Sequence, residues 1–518
     1  MGPRRPVPHL KHRTRIRAAI LAPLLAASAA GVVCAPALAI DTTPEDLNGL
    51  GSSGATDTSI FAGVGRWTHF GGSAARRSRS RILQGGAGIP SLAAPEWIVE
   101  EDDQSRPIVF LSPSGVVLDE SRAFVVGTID FQDHAIAVSR YSGDVVWTAP
   151  VPNAIFDSWA TPAIDWRNRT MLIASSDTLT ALDANTGATA WQTELEAFAV
   201  NASPAVTTDL GPRDRAFVTD FPTTPGAQGR LYCINVDPFD AAENPHLPGD
   251  IVWSVTLGGL TSGNTPAYAE GRVFVSTAGP GAVLRGEIRA FNARATEAPD
   301  PEWVFQNTIQ TGFFSGVNVI GGSIFASSYS FTGDEFSANT VRVNAADGSL
   351  IWSTPSNRTD ATPVVIGDVV AVSSGLPNDD LLPSFGSFPT VQAFDLTTGA
   401  LLWDIATDTW TDLDNDEIRD PGEFLSVGGW THQPIATNTA GGARLIVGSM
   451  PTGTPLVFQP NNRLWVLDLD WNPIADPFPP VVDVYDGAGS TPAFADGWVY
   501  TIGPDGLYAF GPEPLGLP

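Results

Sequence analysis

The chain has almost no lysine. Lys11 is the only one among 518 residues, and 28 lysines and arginines together stand against 56 aspartates and glutamates. A Walker-type phosphate loop, a Schiff-base lysine and a Ser-Lys dyad each need a lysine that the body of the chain does not have. Because nucleic-acid binding depends on basic groups that displace condensed counterions, the acidic balance also argues against a nucleic-acid partner.

Cysteine is nearly as scarce, with Cys34 and Cys233 alone. Residues 1–39 are predicted to be a signal peptide, in which basic residues end at Arg17 and an Ala-rich, Leu-rich run leads to a small-x-small cleavage pattern at 37–39. An uncleaved anchor is the alternative for this run. We expect export to the periplasm, the cell envelope or the extracellular space. Cys34 then leaves with the signal, so an internal disulfide is excluded, and Cys233 is expected to be a buried filler.

No segment after residue 39 is predicted to cross a bilayer, and we expect a monomer. The 51 glycines and 43 prolines indicate many turns, whereas 43% hydrophobic residues and 15 tryptophans are too apolar for a disordered chain. This combination favours many short strands joined by turns.

A repeat of about fifty residues dominates the sequence. Glycine and tryptophan recur four positions apart at Gly143 and Trp147, Gly187 and Trp191, Gly249 and Trp253, Gly348 and Trp352, and Gly399 and Trp403. Trp97 and Trp303 are degenerate members of the series. Strands of alternating or apolar pattern precede the glycines, which are expected to make tight turns. We assign the tryptophans to the packing of the repeats.

A second marker starts each unit, a Ser, Thr or Gln followed by proline. It occurs at Thr161, Ser203, Thr265, Thr362, Gln433 and Thr491. Proline is tolerated at the first residue of a strand, so each marker indicates where a unit begins. Each unit then contains four short antiparallel strands, which is the blade of a β-propeller.

The predicted fold is all-β, an eight-bladed propeller with seven blades as the alternative. The last unit, from Pro492, ends before its fourth strand, whereas residues 96–99 form a fourth strand without the first three. Pairing the two fragments would close the ring and remove free sheet edges. The predicted organisation is a signal peptide at 1–39, a partly disordered lead-in segment at 40–90, and the propeller at 91–514.

These repeats resemble the propeller repeat of the pyrroloquinoline-quinone (PQQ) type, in which Ala-x-Asp is followed by x-Thr-Gly and then Trp. Residues 181–191 and 393–403 fit best. The stretch from Trp67 to Arg76 is similar to the segment that precedes the first blade in many secreted members. The resemblance implies the fold; for function it leaves quinoprotein dehydrogenases, outer-membrane assembly lipoproteins and other exported propellers open.

The same resemblance implies what a quinone enzyme would need. The family's alcohol dehydrogenases carry a vicinal Cys-Cys ring, which Cys233 alone cannot form, and acidic calcium ligands, a catalytic Asp and a basic residue that no stretch here matches. PQQ is therefore not expected as a cofactor. No catalytic residue is assigned.

An acidic insertion at 412–423 has the spacing of a calcium loop. Oxygen ligands fall at positions 1, 3, 5, 9 and 12, with a backbone carbonyl at position 7; the predicted ligands are Asp412, Asp414, Asp416, Ile418, Asp420 and Glu423. Glu417 stands at position 6, where glycine normally makes the sharp turn, so strain is expected there. The alternative is a solvated acidic loop without a cation. We expect a structural Ca²⁺.

Four insertions in blades 3, 5, 6 and 7 are candidate recognition loops, namely 222–229, 328–339, 377–389 and 450–462. Phe385, Phe388 and Phe458 are predicted to form an apolar rim on them, and His432 is placed near the central channel. The favoured function is an exported binding or scaffolding protein for an unknown protein or glycan. The alternatives are a quinone-dependent dehydrogenase and a carbohydrate-active enzyme.

Overall fold

We describe the fold from a computed structural model. It describes residues 66–80, 88–110, 114–155, 158, 160–224, 226–259, 261, 263–279, 285–309, 311–329, 338–375, 388–417, 419–420, 422–449, 463–503 and 506–512. All of them belong to one compact unit, Thr42–Pro518. The predicted signal peptide at 1–39 lies outside the described residues.

The protein is an eight-bladed β-propeller, as predicted, with four antiparallel strands in each blade of the ring. A short strand, β1 (Arg79–Ser80), lies outside this pattern and pairs in parallel with the first strand of blade 7. Blade 1 contains β3 (Val109–Phe110), β4 (Val117–Leu118), β5 (Arg122–Ile129), β6 (Gln132–Ser139) and β7 (Val145–Pro150), of which β3 is additional.

The next four blades follow one another along the chain. Blade 2 contains β8 (Ala163–Asp165), β9 (Thr170–Ser175), β10 (Thr178–Asp183) and β11 (Thr189–Glu194). Blade 3 contains β12 (Ala205–Val206), β13 (Arg215–Thr219), β14 (Arg230–Asn235) and β15 (Ile251–Thr256). Blade 4 contains β16 (Ala267–Ala269), β17 (Arg272–Thr277), β18 (Glu287–Asn292) and β19 (Trp303–Gln306). Blade 5 contains β20 (Asn318–Ile320), β21 (Ser323–Ser328), β22 (Asn339–Asn344) and β23 (Leu350–Pro355).

The last three blades complete the ring. Blade 6 contains β24 (Val364–Ile366), β25 (Val369–Ser374), β26 (Thr390–Asp395) and β27 (Leu401–Asp404), and is followed by a short helix, α1 (Ile405–Asp408). Blade 7 contains β28 (Ile435–Thr439), β29 (Gly442–Ser449), β30 (Arg463–Asp468) and β31 (Val481–Asp486). Blade 8 contains β32 (Ala493–Ala495), β33 (Trp498–Ile502), β34 (Leu507–Phe510) and, as its fourth strand, β2 (Trp97–Val99).

Blade 8 joins the two ends of the propeller sequence, which confirms the predicted closure. Strand β2 pairs antiparallel with β34, and Trp97 lies opposite Ala509. The pairing satisfies the backbone edge that β34 would otherwise expose. No free first blade or last blade therefore remains.

Burial along the strands explains their composition. The inner strands of a blade are covered on both sides by neighbouring blades, so β9 is buried at every residue and reads as a nearly continuous apolar run. The outermost strand of blade 7, β31, alternates between half-buried and exposed residues along its length. A strand with one side facing solvent has this period of two.

The repeated Gly and Trp form the seam between successive blades. The indole of Trp147 in blade 1 lies against Gly187 in blade 2, where a Cβ atom would come within 2.7 Å of the ring, and its Nε1 donates to the carbonyl of Ala184 at 3.1 Å. The same packing joins Trp97 to Gly143, Trp191 to Gly249, Trp303 to Gly348 and Trp352 to Gly399. These glycines also have positive φ, so both the turn and the indole require glycine.

The order of the strands divides the connections between two faces of the ring. Hairpins that join first to second and third to fourth strands share one face, which we call the lower face. Connections from second to third strands, and from each blade to the next, share the opposite, upper face. The strands that flank each of the four candidate recognition loops and the 412–423 insertion present their connected ends at the upper face.

Candidate functional site

Residues 66–80, which we call the axial segment, run through the centre of the ring. Backbone N–H groups on the first strands of four blades donate to carbonyl groups of this segment at 2.8 to 3.0 Å. The pairs are Ile164 with Thr68, Tyr268 with Ala74, Val319 with Ala75, and Ala436 with Ser78. Trp67 exchanges two backbone hydrogen bonds with Leu118 of blade 1. The N–H of Val206 in blade 3 donates to Nε2 of His69 at 3.0 Å.

The axial segment closes the lower part of the channel. Each first strand runs from the upper to the lower face, and the partners of the segment in blades 1 to 5 lie in the middle or at the end of these strands. Trp67, His69 and Arg76 are all buried. The sequence-based division placed residues 40–90 before the propeller, whereas residues 66–80 are an internal part of it.

A series of hydrogen bonds links the blades around the channel just above this segment. The hydroxyl of the residue that precedes the marker proline of one blade accepts a hydrogen bond from the backbone N–H of the equivalent residue in the preceding blade. This occurs in three successive steps, in which Thr161 accepts from Gly115, Ser203 from Thr161 and Thr265 from Ser203, at 2.8 to 2.9 Å. The side chain of Gln433 accepts from Thr362 in the same way at 2.8 Å. The Ser/Thr-Pro markers of the sequence thus have a structural function.

The equivalent position in blade 5 is Gly316, which has no side chain to continue this series. The guanidinium of Arg76 fills the gap and donates to the carbonyl of Thr265 in blade 4 at 3.2 Å and to Oγ1 of Thr362 in blade 6 at 2.8 Å. Burial lowers the pKa of Arg76 to about 9, which leaves the group charged at pH 7. Arg76 therefore bridges the blades on either side of blade 5.

At the upper mouth of the channel, blades 5, 6 and 7 bring together four buried side chains and the half-buried Asp360, a group that we call the axial cluster. Its members are Tyr329, Arg358, Asp360, Trp430 and His432. The rings of Tyr329 and Trp430 meet edge to face, with centroids 5.5 Å apart. The backbone N–H of Asp360 donates to the carbonyl of Trp430 at 2.8 Å, so the connections that carry the cluster hold each other in place.

The carboxyl group of Asp360 is the chemically distinctive member of the axial cluster. Burial raises its pKa well above the ordinary value, although hydrogen bonds from Tyr329 and Trp430 act in the opposite direction. Its Oδ1 atom is buried and has no hydrogen-bond partner among the described residues. Burial likewise raises the pKa of Tyr329, and the charges of Asp360 and Arg358 affect that pKa with opposite signs. Burial therefore favours the protonated form of this carboxyl.

The acidic insertion brings three of its six predicted ligands together. One carboxylate oxygen from each of Asp412, Asp414 and Asp416 lies within 4.8 Å of the others. Burial and the neighbouring acids Asp416, Glu423 and Asp412 raise the pKa of Asp414. A divalent cation would offset this repulsion. Glu417 has a φ of 62°, so the expected backbone strain at position 6 is present.

The other predicted ligands are placed differently. Oε1 of Glu423 accepts the N–H of Leu413 at 2.7 Å, and Oε2 accepts from Nε1 of Trp410 at 3.1 Å. These bonds lower the pKa of Glu423 and hold the two ends of the loop together. Asp420 is exposed outside the group of three, and Ile418 lies outside the described residues.

The remaining predicted residues lie in several places. Cys233 is fully buried in β14, which raises the pKa of its thiol, so it is a packed filler. His432 lies at the channel mouth, as predicted. Phe388 packs against Phe424, with ring centroids 4.7 Å apart, whereas Phe385 and Phe458 lie outside the described residues. So do most of the insertions 328–339, 377–389 and 450–462.

Comparison with known proteins gives a family and a fold. A sequence model of the family described as outer membrane protein assembly factor BamB matches residues 94–238 and 246–376, more than half of the chain. No curated protein sequence matches the chain. Over the described part of the chain, no helix has the length and apolar character needed to cross a membrane.

Several solved structures have a similar fold. The quinohemoprotein alcohol dehydrogenase of Comamonas testosteroni matches with a TM-score of 0.57 at 12% identity, covering 90% of this chain and 84% of the enzyme. A europium-containing methanol dehydrogenase matches with a TM-score of 0.55 at 13% identity, covering 84% of this chain and 89% of that one. BamB of Moraxella catarrhalis matches with a TM-score of 0.46 at 16% identity, covering 80% and 96% respectively.

Proposed function

This chain belongs to the protein family described as outer membrane protein assembly factor BamB, and from that premise we propose that it is an exported propeller that binds or scaffolds a partner in the cell envelope or outside the cell. The family description names assembly at the outer membrane, and the signal-like sequence at 1–39 supports export. The partner is a protein or a glycan.

One observation carries this proposal. The axial segment fills the lower part of the channel, whereas the strands that flank the four candidate recognition loops and the 412–423 insertion all present their connected ends at the upper face. Loops on a rigid scaffold are where recognition usually lies, because the scaffold fixes their ends while their sequences vary. The upper face is therefore the binding face of the proposal.

Photo-crosslinking in the cells that produce the protein tests the face. A photoreactive amino acid is placed at Thr223 or Thr411 on the upper face, and at Asp300 on the lower face as the matched control. All three residues are exposed. We expect crosslinked partners from the two upper positions. Crosslinks from Asp300 alone, or recovery of an intact N-terminus from cytoplasmic fractions, would overturn the proposal.

A structural calcium ion in the 412–423 loop is part of the proposal. It is supported by the three gathered carboxylates and by the raised pKa of Asp414. The loop lies between β27 and β28, so an ion there would stiffen the connection between blades 6 and 7. Extracellular modules of this kind bind calcium with dissociation constants of about 10⁻⁴ to 10⁻³ M.

A quinone-dependent dehydrogenase is the second candidate, and the axial cluster favours it. The cluster holds Asp360, an acid of raised pKa that hydrogen-bonds to Tyr329, and the cationic Arg358 acts on the same tyrosine; a positioned acid is a group that general acid-base catalysis can use. However, Cys233 is the one cysteine outside the signal-like segment, and within the described residues the metal-competent acidic group is in the 412–423 loop. The residues present thus fit a quinone site incompletely.

Reconstitution distinguishes the two candidates. The purified protein is incubated with PQQ and calcium, and quinone absorbance and dye reduction by alcohols are recorded for wild type and for Asp360→Asn. The binding proposal expects neither signal in either protein. Dye reduction that Asp360→Asn abolishes would establish the dehydrogenase instead.

A further inference from the structure

A cleft of about 480 Å³ opens at the upper face between blades 2 and 3. One wall is the 222–229 insertion of blade 3, and the opposite wall is the connection that contains Glu196 and Phe198. Asp177, from the turn between β9 and β10, and Thr256, at the end of β15, complete it. This volume is within the range of small-molecule binding sites.

The polar groups of the cleft are held in place from behind. Asp220 is buried, and its two carboxylate oxygens accept from the N–H of Arg230 and the hydroxyl of Tyr232, each at 2.7 Å. The hydroxyl of Tyr232 in turn accepts the N–H of Glu196 at 2.9 Å. Since these bonds connect both walls, the distance between the walls is fixed before any ligand arrives.

The one arginine of the cleft is already paired with an acid. Nε of Arg230 pairs with Oε2 of Glu196 at 2.8 Å, both oxygens of Asp220 already accept hydrogen bonds, and burial raises the pKa of Asp220. Asp177 remains as a half-buried carboxylate. A strongly anionic ligand would meet three acids, and a strongly cationic one would have to compete with the ion pair already formed.

The remaining lining is suited to hydroxyl groups. The side chains of Gln228, Thr223 and Thr224 offer hydrogen-bond donors and acceptors on one wall, and Arg230 offers a planar set of donors. Phe198 is half-buried on the other wall and presents an aromatic side chain to the cleft. Polar groups of both kinds facing an aromatic ring match a molecule that carries hydroxyls around its edge and C–H bonds on its faces.

We propose that this cleft binds a neutral carbohydrate, with Gln228 and Asp177 contacting hydroxyl groups and Phe198 packing against the face of a sugar ring. This inference rests on the proposed binding role and names the ligand class for one part of the upper face. The site is distinct from the axial cluster, which blades 5, 6 and 7 form.

Calorimetry with matched oligosaccharides tests the proposal. The neutral probes are the hexamers of N-acetylglucosamine, β-1,4-linked glucose and α-1,4-linked glucose. The hexamer of glucosamine has the same backbone as the first but is cationic, and the hexamer of galacturonic acid is anionic. We expect at least one neutral hexamer to bind wild type, and the two charged hexamers to bind at least about tenfold more weakly.

Two variants locate the site, and one controls for it. Gln228→Ala changes an exposed loop residue, and Phe198→Ala removes the aromatic face; each is expected to weaken binding by about tenfold or more. Phe239→Ala removes an exposed phenylalanine from the lower face and should leave binding unchanged. Circular dichroism checks that each variant is folded.

The remaining outcomes are decisive as well. Binding of the glucosamine hexamer alone would mean that the cleft selects cations, and the carbohydrate inference would fail. Absence of binding to all neutral hexamers, with crosslinks still formed from Thr223, would overturn this inference but leave the proposed function standing. If no neutral hexamer binds and Thr223 forms no crosslinks, both the carbohydrate inference and the proposed function fail. Release of shorter sugars from a bound hexamer would contradict a pure binding site and identify a hydrolase.

Discussion

The guanidinium of Arg76 occupies the space that a side chain at Gly316 would need. A Cβ atom on Gly316 would overlap Nη1 of Arg76, although the two residues are 240 positions apart in the sequence. Gly316 is a point at which the hydrogen-bond series between blades lacks a side chain, as Gly115 is in blade 1, and Arg76 supplies the missing link to Thr265 and Thr362. The pair therefore couples the axial segment to the ring.

A double-mutant cycle measures this coupling. Arg76→Ala should lower the free energy of unfolding by about 2 to 4 kcal/mol, because two charge-assisted hydrogen bonds are lost and a cavity forms. Gly316→Ala should also destabilise, but less so when Arg76 is already alanine, with a coupling of about 0.5 to 3 kcal/mol in urea unfolding. Arg213→Ala, at an exposed arginine, is the control. If the effects of the two substitutions on the free energy of unfolding simply add, the contact between Arg76 and Gly316 is refuted.

Removing the axial segment should weaken the whole ring. A chain that starts at residue 66 keeps the segment, whereas a chain that starts at residue 81 lacks it, and the second should melt at a clearly lower temperature. A synthetic peptide of residues 66–80 should raise that melting temperature in a concentration-dependent manner, since it binds only the folded ring. A scrambled peptide is the control. Equal melting temperatures for the two chains would contradict an internal role.

His69 should make the protein sensitive to acid. Burial lowers its pKa from 6.5 to about 4, so the folded protein keeps His69 neutral whereas the unfolded chain binds a proton below pH 6.5. Its contribution to stability is therefore present above pH 6.5 and is lost as the pH falls towards 4, by about 3 kcal/mol at most. Unfolding free energies of His69→Gln should depend less on pH across this window. If the unfolding free energies of wild type and His69→Gln change with pH in the same way, the predicted role of His69 is wrong.

Asp165 should have the opposite pH dependence. It is buried at the lower face near Asp214, and burial raises its pKa from 3.8 to about 6 despite hydrogen bonds from Asn168 and Arg167. Its contribution is fully present below pH 3.8 and is lost as the pH rises through 6, by about 3 kcal/mol at most. Asp165→Asn should reduce this loss between pH 4 and 7. An unchanged pH profile in thermal unfolding would show that Asp165 ionises normally.

Calcium should bind at the 412–423 loop and stabilise the protein. We expect binding heats for wild type with a dissociation constant of about 10⁻⁴ to 10⁻³ M, and none of this heat for Asp412→Ala or Asp416→Ala. Asp300→Ala, at an exposed acid on the lower face, should bind as wild type does. Magnesium at the same concentration should bind more weakly, because it demands stricter octahedral geometry. Identical calcium heats in all four proteins would exclude the loop.

The sequence predicted the ring because its signals are local. Each Gly-Trp pair and each Ser/Thr-Pro marker lies within one repeat, and Trp97 could be recognised as a fourth strand because Phe510 ends a unit that lacks one. The sequence predicted only that the repeat tryptophans are buried in the packing. The contact of Trp147 with Gly187 of the next blade was not predicted, although it recurs because both residues belong to the repeat.

The axial segment and the axial cluster could not be predicted in the same way. The contacts of Arg76 reach Thr265 and Thr362, and no spacing within a repeat indicates them. Asp360 and Tyr329 come from different blades, and the pKa of Asp360 depends on burial that exists only in the folded ring. The cue that was available in the sequence is at Gly316, where the start of blade 5 lacks the hydroxyl and the proline found in most other blades.

The pairing of Trp97 with Ala509 has a consequence for how the chain is made. A nascent or truncated polypeptide that ends before Leu507 is an open arc with two unsatisfied edges, so it is exposed to proteases and to pairing with other chains until synthesis finishes. Ring closure is thus a late, long-range step in folding, which makes it slow. A circular permutant could join the strands of blade 8 in one continuous segment and open the ring at another junction. Comparing it with the natural chain would separate the effect of ring closure on folding rate from its effect on stability.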